Sequence, residues 1–405
     1  MRMSVPKLKG FAVSWFFPPY VGSADLDFFK RIKDSVFSFH VVQAARDMRD
    51  ERVLRYASAD IERFEIRVDH KNPRTEDARS DFKRQCLSIF EARRHEYGFL
   101  ISHSNEMVSH DVAAEIKRAN PSIPWIAYFG DLFVRNPYVK YIPGYPLVQE
   151  DIAIERQTLR LADRIIVNNQ YQKDLMFCGD LKQYEEKCVV IPHCFDPAMY
   201  PSAPQERDDS RFRFVHTGTL YHVKRTAEPL LRAVDRLIEV YPKYRGRFEV
   251  VFYGNEPTSH DISVHAFMRN RNAVRFEAPV GYLDSLRIMR EADCLILIDG
   301  IFNKAEDDLE VNPFLPGKLM DYMGASRPIM AVTMPKGPTA DILKASGNLV
   351  ADERIDRIAY VMKRYIDRKV MPDYSTYLAY SAAKIGHQMD AVIASVSKVQ
   401  ADVNV

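Results

Sequence analysis

The stretch NPFLPGKLMDYMGASRPIMA, residues 312–331, brings a cation and an acid close together. Pro316 suits the first turn of a helix, where its missing N–H group has no partner to lose. Lys318 and Asp321 are three residues apart, so a helix presents both on one face, while Leu319 turns inward. A lysine suits a diphosphate and a carboxylate suits ribose hydroxyls, so the stretch predicts a nucleotide-sugar site. A surface salt bridge within the helix is the alternative.

A second basic stretch, HTGTLYHVKRTAEPLL (216–231), follows a predicted strand and opens a predicted helix. Gly218 allows the backbone to approach a ligand closely, and Thr219 continues the turn. Lys224 and Arg225 lie near the helix start, where the helix dipole and the side-chain charges favour an anion. We expect this stretch to bind a diphosphate and its two cations to stabilise the charge on a leaving group. A β–α turn with solvated basic residues is the alternative.

Short apolar runs alternate with helix-length amphipathic segments along most of the chain. This alternation predicts an α/β protein with parallel sheets covered by helices on both faces, and ligands bind such sheets at the carboxyl ends of the strands. The predicted strands are residues 10–17, 64–68, 98–104, 125–129, 164–169, 189–193, 212–218, 248–254, 274–280, 294–300, 328–333 and 348–351.

One segment, YPSAPQERDDSRFRF (200–214), is rich in proline and charge and lacks periodicity. It indicates a linker between two doubly wound domains. We therefore predict an N-terminal Rossmann-like domain over residues 1–203, a C-terminal Rossmann-like domain over 204–370, and a terminal helical segment over 371–405. Two such domains would face a cleft with the carboxyl ends of their strands.

Composition excludes several classes of protein. The 405 residues are 46% hydrophobic and 28% charged with a net charge of +2, as in ordinary globular proteins and unlike dedicated nucleic-acid binders. No apolar run is long enough to span a bilayer. The five cysteines show no C-x-x-C spacing, which fits reduced thiols. We predict a cytoplasmic protein.

Three segments taken in order, GTLYHVKR, VGYLDSLRIMREADCLILI (280–298) and PFLPGKLMDYMGASRPIMAV, resemble the C-terminal domain of retaining GT-B glycosyltransferases. More narrowly, they resemble the large family, of the glycosyltransferase family 4 type, that includes many bacterial polysaccharide, lipopolysaccharide and glycolipid enzymes. The resemblance covers most of residues 210–350. Asp321 stands where the family usually has Glu, and no acid stands at residues 312 or 313, where the first glutamate of its paired motif would fall.

This resemblance implies roles for individual residues of the second half. The diphosphate would be held by Gly218, Lys224 and Arg225. The base would lie near Gly281 and Tyr282, and Asp321 would bind the ribose.

The segment 98–138 resembles the N-terminal domain of the same family, with His103 and Asp131 at the carboxyl ends of predicted strands. The resemblance implies that both act at the reacting centre. The alternatives are a histidine satisfied within the strand end and an aspartate that caps a turn. Further on, the pair His193–Cys194 replaces the usual Asn-Gly of the family, a change that is either local tuning or without consequence.

The exit of the first strand, WFFPPYVGSADLDFF (15–29), carries Gly22 and Ser23 where family members contact donor phosphate or acceptor. We assign these two residues to the acceptor side. The tripeptide DLD (25–27) invites comparison with the metal-binding D-x-D of another glycosyltransferase fold. It lies before any nucleotide-binding element, and GT-B enzymes balance diphosphate charge with Lys, Arg and helix ends, so we predict no metal and no cofactor.

The resemblance implies transfer of a sugar, with retention of configuration, from a nucleotide-diphosphate sugar to a glycan, lipid-linked or small-molecule acceptor. It also implies that the last helix crosses back to the N-terminal domain. The basic amphipathic segment 71–98 is compatible with contact to an anionic membrane that carries the acceptor, and a solvated helix is the alternative. A nucleotide-sugar epimerase of the same fold and a noncatalytic glycan-binding or partner protein remain rival functions. A nicotinamide-dependent dehydrogenase is disfavoured, because no G-x-G-x-x-G follows the first strand.

Overall fold

A computed structural model describes most of the chain, which divides into two compact units. The first unit comprises Met1–Cys194 with Ala382–Val405, and the second comprises Phe195–Ser381. Ser23, Ala24 and Val148 are described by their backbone only. The described residues are 7–46, 49–68, 75–104, 106–138, 148–202, 211–220, 224–254 and 258–397.

The described part of the first unit forms a seven-stranded parallel sheet with helices on both faces. Its strands are β1 Lys9–Ser14, β2 Ser38–Ala44, β3 Ile61–Ile66, β4 Tyr97–Ser104, β5 Trp125–Phe129, β6 Arg164–Val167 and β7 Cys188–Val190. Its helices are α1 Ser23–Ile32, α2 Glu76–Arg93, α3 Val108–Ala119, α4 Val148–Leu161, α5 Gln170–Met176 and, after the second unit, α13 Ala382–Ser397. The strand order is β3-β2-β1-β4-β5-β6-β7.

Strand β2 was not among the predicted strands, and its sequence SFHVVQA shows why. His40 and Gln43 interrupt the apolar run, although both side chains are fully buried. The tertiary structure supplies one partner for each, because His40 Nδ1 is hydrogen-bonded to the Tyr97 hydroxyl and Gln43 Nε2 donates to the Pro18 carbonyl (3.1 Å). Buried polar groups with partners are acceptable in a sheet, but those partners lie far away in the sequence.

The described part of the second unit forms a six-stranded parallel sheet of order β10-β9-β8-β11-β12-β13. Its strands are β8 Phe212–Thr217, β9 Phe248–Tyr253, β10 Val274–Glu277, β11 Cys294–Ile298, β12 Ile329–Val332 and β13 Val350–Ala351. Its helices are α6 Glu228–Val240, α7 Ser259–Ala266, α8 Tyr282–Glu291, α9 Lys304–Asp307, α10 Gly317–Gly324, α11 Pro338–Ala345 and α12 Ile355–Ile366. The parallel sheets predicted from the alternation of runs are therefore confirmed.

Hydrophobic burial explains both kinds of element in the second unit. Strand β11, CLILI, is buried at every residue, as expected for a central parallel strand covered on both faces. Helix α6 buries Leu230, Leu231, Val234 and Leu237 at helical spacing and packs against α12. These side chains join one core with the inward residues of β8, β9 and β11.

The terminal helix α13 packs against α1 within the first unit. Its Asp390 carboxylate accepts hydrogen bonds from Ser35 Oγ (2.5 Å) and the Val36 N–H group (3.1 Å). The predicted linker 200–214 falls largely on residues 203–210, which lie outside the described residues. Among the helices that the structure describes, none combines the length and the apolar character needed to cross a membrane.

Candidate functional site

The carboxyl end of β8 in the second unit turns at Gly218, which has a φ of +93°. A side chain there would be strained, and an ideal Cβ would lie 3.0 Å from both Cε and Nζ of Lys318. The Gly218 N–H group donates to the Tyr253 carbonyl at the end of β9 (2.7 Å). The glycine thus permits both the turn and the close approach of the lysine.

Lys318 reaches this turn from the first turn of α10, whose N-cap is Pro316. Its Nζ lies 3.3 Å from Nε2 of His216 on β8. The other ring nitrogen of His216, Nδ1, lies 3.0 Å from the Ile296 carbonyl, to which it donates. Nε2 is therefore the acceptor, and Lys318 is the donor.

The surroundings of Lys318 disfavour its charged form. Burial of most of the side chain lowers the pKa of Lys318, the nearby Arg225 guanidinium lowers it further, and Asp299 and Asp321 oppose the change, which leaves the pKa at about 7. Burial, together with Lys318, also lowers the pKa of His216 well below its usual range. A bound anion would favour the charged form of Lys318, and groups with shifted pKa values of this kind are common at ligand sites.

Arg225 and Lys224 both carry acidic partners. Arg225 Nη2 lies 3.5 Å from Asp299 Oδ1, just beyond the end of β11. Asp299 also accepts from Thr339 Oγ1 (3.0 Å), so its carboxylate is anchored. Lys224 Nζ lies 2.7 Å from Asp307 Oδ2 and 3.1 Å from Glu306 Oε2, which places its charge against α9. A cavity of about 300 Å³ opens beside these groups, lined by Lys224, Thr226, Pro229, Ile298, Asp299, Ile301, Phe302, Asn303, Val332 and Glu353.

Asp321 and Tyr282 form a further polar pair, and the Asp321 carboxylate is one of the charges that act on Lys318. The Tyr282 hydroxyl donates to Asp321 Oδ1 (2.9 Å). Tyr282 is the first residue of α8, and Gly281 is its N-cap. Leu319 is fully buried in the core, so α10 carries core on one side and Lys318 with Asp321 on the other. Thr219, at the Gly218 turn, is partly exposed.

Asn312 stands where the paired acid of the resembling family would fall, and both polar atoms of its side chain bond to the backbone. Its Nδ2 donates to the Gly300 carbonyl (3.0 Å), and its Oδ1 accepts from the Phe314 N–H group (2.9 Å). The residue is buried. Asn312 therefore fixes the loop that precedes α10.

In the first unit, His103 lies at the carboxyl end of β4 and is buried. Its ring stacks between Phe28 (centroid distance 5.3 Å) and Tyr128 (4.9 Å). Its Nδ1 is 2.9 Å from Ser14 Oγ, whose own proton goes to the Phe16 carbonyl (2.6 Å), so Nδ1 is the donor. Nε2 has no hydrogen-bonding partner among the described residues, and burial lowers the pKa of His103 to about 4.

A buried polar network surrounds His103, and its members are Asp27, Arg31, Tyr128, Asn168 and His193. Asp27 Oδ1 accepts from His193 Nδ1 (2.6 Å) and Arg31 Nε (3.3 Å). Burial alone would raise the pKa of Asp27, but Arg31 and His193 outweigh it and hold that pKa well below its usual range.

Asn168 closes the same network. Its Oδ1 accepts from Arg31 Nη2 (3.1 Å) and from the Tyr128 hydroxyl (3.0 Å), and its Nδ2 donates to His193 Nε2 (3.0 Å). The Tyr128 hydroxyl has a single proton, which it shares between Asn168 Oδ1 and Asp27 Oδ2. The network therefore ties α1 to the carboxyl ends of β5 and β6.

The tripeptide DLD lies on α1 and serves the protein itself. Asp25 accepts from the N–H group of Gly22, the exposed N-cap of α1, at 2.8 Å and pairs with Arg46. Asp27 belongs to the buried network. The Ser23 side chain lies outside the described residues, and Asp131 is half-buried just after β5. Within the described chain, no group of three or more His, Cys, Asp or Glu side chains could hold a metal ion.

Sequence reasoning missed His216, Asp27, Arg31 and Asn168, and it left the role of His193 open. One signal was available: His216, Asn168 and His193 are polar residues at the ends of predicted strands. Each was indistinguishable from a solvated residue until the fold supplied its partners.

No protein-family profile matches this chain, and no curated protein matches it. The solved structure of Anabaena Alr3699/HepE in complex with UDP and glucose covers 96% of this chain and 100% of its own, with 13% identity and a TM-score of 0.65. The lipopolysaccharide outer core galactosyltransferase WaaB covers 96% and 99%, with 12% identity and a TM-score of 0.62. A UDP-N-acetylglucosamine 2-epimerase covers 95% and 94%, with 13% identity and a TM-score of 0.59. Matched over nearly its whole length by structures of this kind, and built on two parallel α/β sheets, the chain has the GT-B fold that its sequence motifs predict.

Proposed function

We propose that this protein is a glycosyltransferase that moves a sugar from a nucleotide-diphosphate sugar to a hydroxyl group of a glycan, lipid-linked or small-molecule acceptor. The observation that carries the proposal is the convergence of Gly218, Lys318 and Arg225 at the carboxyl ends of β8 and β11, with Asp321 and Tyr282 beside them. A backbone turn with two cations suits a diphosphate, and a carboxylate suits a ribose.

In this reaction the bond from the anomeric carbon to the diphosphate breaks, a bond to the acceptor oxygen forms, and the acceptor oxygen loses its proton. The main demand is stabilisation of negative charge on the leaving diphosphate. We assign that role to Arg225 and Lys318, with Lys224 available only when it leaves Glu306 and Asp307. Retention of configuration and independence of metal are part of the proposal.

In the first unit we assign His103 and Asp131 to the reacting centre, and Gly22 and Ser23 to the acceptor side. The Nε2 lone pair of His103 supports this assignment, since it lacks a partner among the described residues and lies 4.0 Å from Asp27 Oδ2. The low pKa of His103 keeps the imidazole neutral at physiological pH, so this nitrogen accepts rather than donates.

The first test is a thermal-shift and calorimetric panel of UDP, GDP, ADP, TDP and CMP, each with and without EDTA. A nucleotide that stabilises the protein equally in both conditions supports a metal-independent donor site and names the base. Lys318→Met should abolish the shift, while Lys344→Met, which removes an exposed lysine that donates to the Pro335 carbonyl, should keep it. Absence of a shift from every nucleotide would contradict the proposal.

An epimerase is the second candidate, because a UDP-N-acetylglucosamine 2-epimerase structure matches the chain with a TM-score of 0.59. The two functions differ in their need for an acceptor. Incubation with UDP-N-acetylglucosamine alone, followed by chromatography of the sugar, distinguishes them. An epimerised sugar formed without acceptor favours the epimerase and counts against transfer.

A further inference from the structure

We propose that Lys318 takes up a proton when the diphosphate group of a nucleotide binds, and that His216 is the positioning residue that holds its Nζ at the Gly218 turn. The inference rests on the proposed function, because it concerns the same nucleotide site. It adds a regulation by pH and a residue that the resemblance does not assign.

The hydrogen bonds of His216 fix its tautomer. Its Nδ1–H group donates to the Ile296 carbonyl of β11 at 3.0 Å, which leaves a lone pair on Nε2. The Tyr322 hydroxyl donates to the same carbonyl at 3.2 Å and accepts from the Thr217 N–H group at 2.9 Å. The imidazole is thus fixed between two strands and α10, with its acceptor nitrogen facing Lys318.

Lys318 occupies a confined position at the Gly218 turn. Its Cε and Nζ lie where a Cβ at residue 218 would be only 3.0 Å away, so the side chain rests directly on the turn. His216 Nε2 accepts from Nζ at 3.3 Å and limits where the amine can go. Two of the three amine hydrogens remain to be directed at a ligand.

Ionisable groups from several elements set the charge around the Lys318 amine. The ionisable groups that face it are His216 from β8, Arg225 from the segment before α6, Asp299 from the end of β11 and Asp321 from α10. His216 stays neutral, since its pKa lies well below the usual range. With the pKa of Lys318 at about 7, most of the amine is neutral above neutral pH.

A diphosphate at this turn would reverse that balance, because a nearby anion favours the charged form of a lysine. Binding above neutral pH then requires that the amine gain a proton from solvent. His216 cannot supply or compete for this proton, which makes it a neutral acceptor that only orients the amine.

Calorimetry in buffers of different ionisation enthalpy measures this proton directly. At about pH 8, where a nucleotide phosphate is already fully ionised, the wild-type protein should take up a large part of one proton per nucleoside diphosphate bound, the ligand being the one that the panel selects. Lys318→Arg is the matched control. It keeps a cation that is always charged, so it should bind with no uptake.

His216→Phe removes the acceptor and keeps a ring of similar size, so it should weaken binding about tenfold, consistent with the loss of one hydrogen bond to a charged group. His216→Gln restores an acceptor and should recover part of that affinity. Melting temperatures of both variants equal to that of the wild type would exclude a folding defect as the cause.

Several outcomes would overturn the inference. Binding at pH 8 without proton uptake, or equal uptake in Lys318→Arg, would do so while leaving the proposed nucleotide site intact. An affinity of His216→Phe equal to that of the wild type would remove the positioning role. Failure of every nucleotide to bind between about pH 6 and pH 8 would overturn both this inference and the proposed function.

Discussion

Lys318 and Asp321 lie on one face of α10, and their side chains have different hydrogen-bonding partners. Lys318 meets His216, and Asp321 accepts from the Tyr282 hydroxyl. A surface salt bridge between the two would have needed neither partner. The placement of a cation at the Gly218 turn and a carboxylate at the start of α8 agrees instead with a ligand that carries phosphate at one end and hydroxyls nearby.

Asp321→Asn tests the ribose assignment. If the Asp321 carboxylate binds ribose hydroxyls, the wild-type protein should prefer a ribonucleoside diphosphate over its 2′-deoxy analogue by about tenfold, because a site built to bind a hydroxyl loses a charge-assisted hydrogen bond without it. The variant should lose most of that preference. The measurement is calorimetric Kd for both nucleotides on both proteins.

An equal loss of affinity for the two nucleotides would place Asp321 elsewhere in the site. Asp341→Asn, at an acid on the neighbouring helix α11, serves as the control and should leave the preference unchanged.

At the scale of elements, the second unit depends on one turn. Gly218 joins β8 to the segment that carries Arg225, its positive φ would strain any other residue, and a Cβ there would crowd the end of the Lys318 side chain. The turn therefore couples backbone geometry to the position of the cation.

Gly218→Ala and Gly246→Ala separate these effects. Both glycines have a positive φ, +93° and +72°, so each alanine should cost about 1–2 kcal/mol of unfolding free energy. At Gly218 the new Cβ meets Lys318, whereas no atom of the described residues lies within 4 Å of a Cβ at Gly246. We expect Gly218→Ala alone to weaken nucleotide binding, by about tenfold or more. Equal Kd values for the two variants would show that the Gly218 turn does not shape the site.

In the first unit, α1 is tied to the sheet by the charge of Asp27. Asp27→Asn would leave the fully buried guanidinium of Arg31 without its carboxylate, and such a loss costs about 3–5 kcal/mol. Asp34→Asn removes an acid with 66% of its side chain exposed, paired with Lys33, and should cost about 1 kcal/mol or less. Urea unfolding compares them, and a similar cost for both would contradict a buried ion network.

For the whole molecule, buried histidines predict a particular acid sensitivity. Burial lowers the pKa of His40 and His103 to about 4 and that of His110 to about 3. The folded protein keeps them neutral, whereas the unfolded chain protonates them near pH 6.5. Between about pH 6.5 and pH 4 the unfolded state binds more protons, so stability falls as the pH falls, by about 1.4 kcal/mol per pH unit for each histidine.

Glu155 has the opposite effect on the pH dependence of stability. Burial raises its pKa to about 7, so the folded state holds an extra proton between about pH 4.5 and pH 7. His40, His103 and His110, with His216 as a fourth histidine of lowered pKa, outnumber Glu155 and leave a net loss of stability on acidification. His110→Gln should flatten the pH dependence of the melting temperature by about one proton, since it removes one titrating group. An unchanged slope in that variant would show that His110 is not held neutral.

The sequence by itself determined the features that depend on neighbours along the chain. Continuous apolar runs such as CLILI predict buried parallel strands, and the helical spacing of α6 predicts its buried face, because both patterns repeat within one element. The local spacing of Lys318 and Asp321 likewise gave a helix face with two charges. These patterns predicted parallel α/β sheets, and the resemblance of three segments to a known family implied the GT-B fold, which the solved structures confirm.

Only the tertiary structure decided which polar residues meet. Asp27 and His193 are 166 residues apart, and His216 and Lys318 are 102 apart. Strand β2 escaped prediction because His40 and Gln43 find their partners on other segments. The physical reason is the same in each case. A buried polar group is stable only when it has a hydrogen-bonding partner. The residues next to that group in the sequence do not identify a partner that comes from a distant segment.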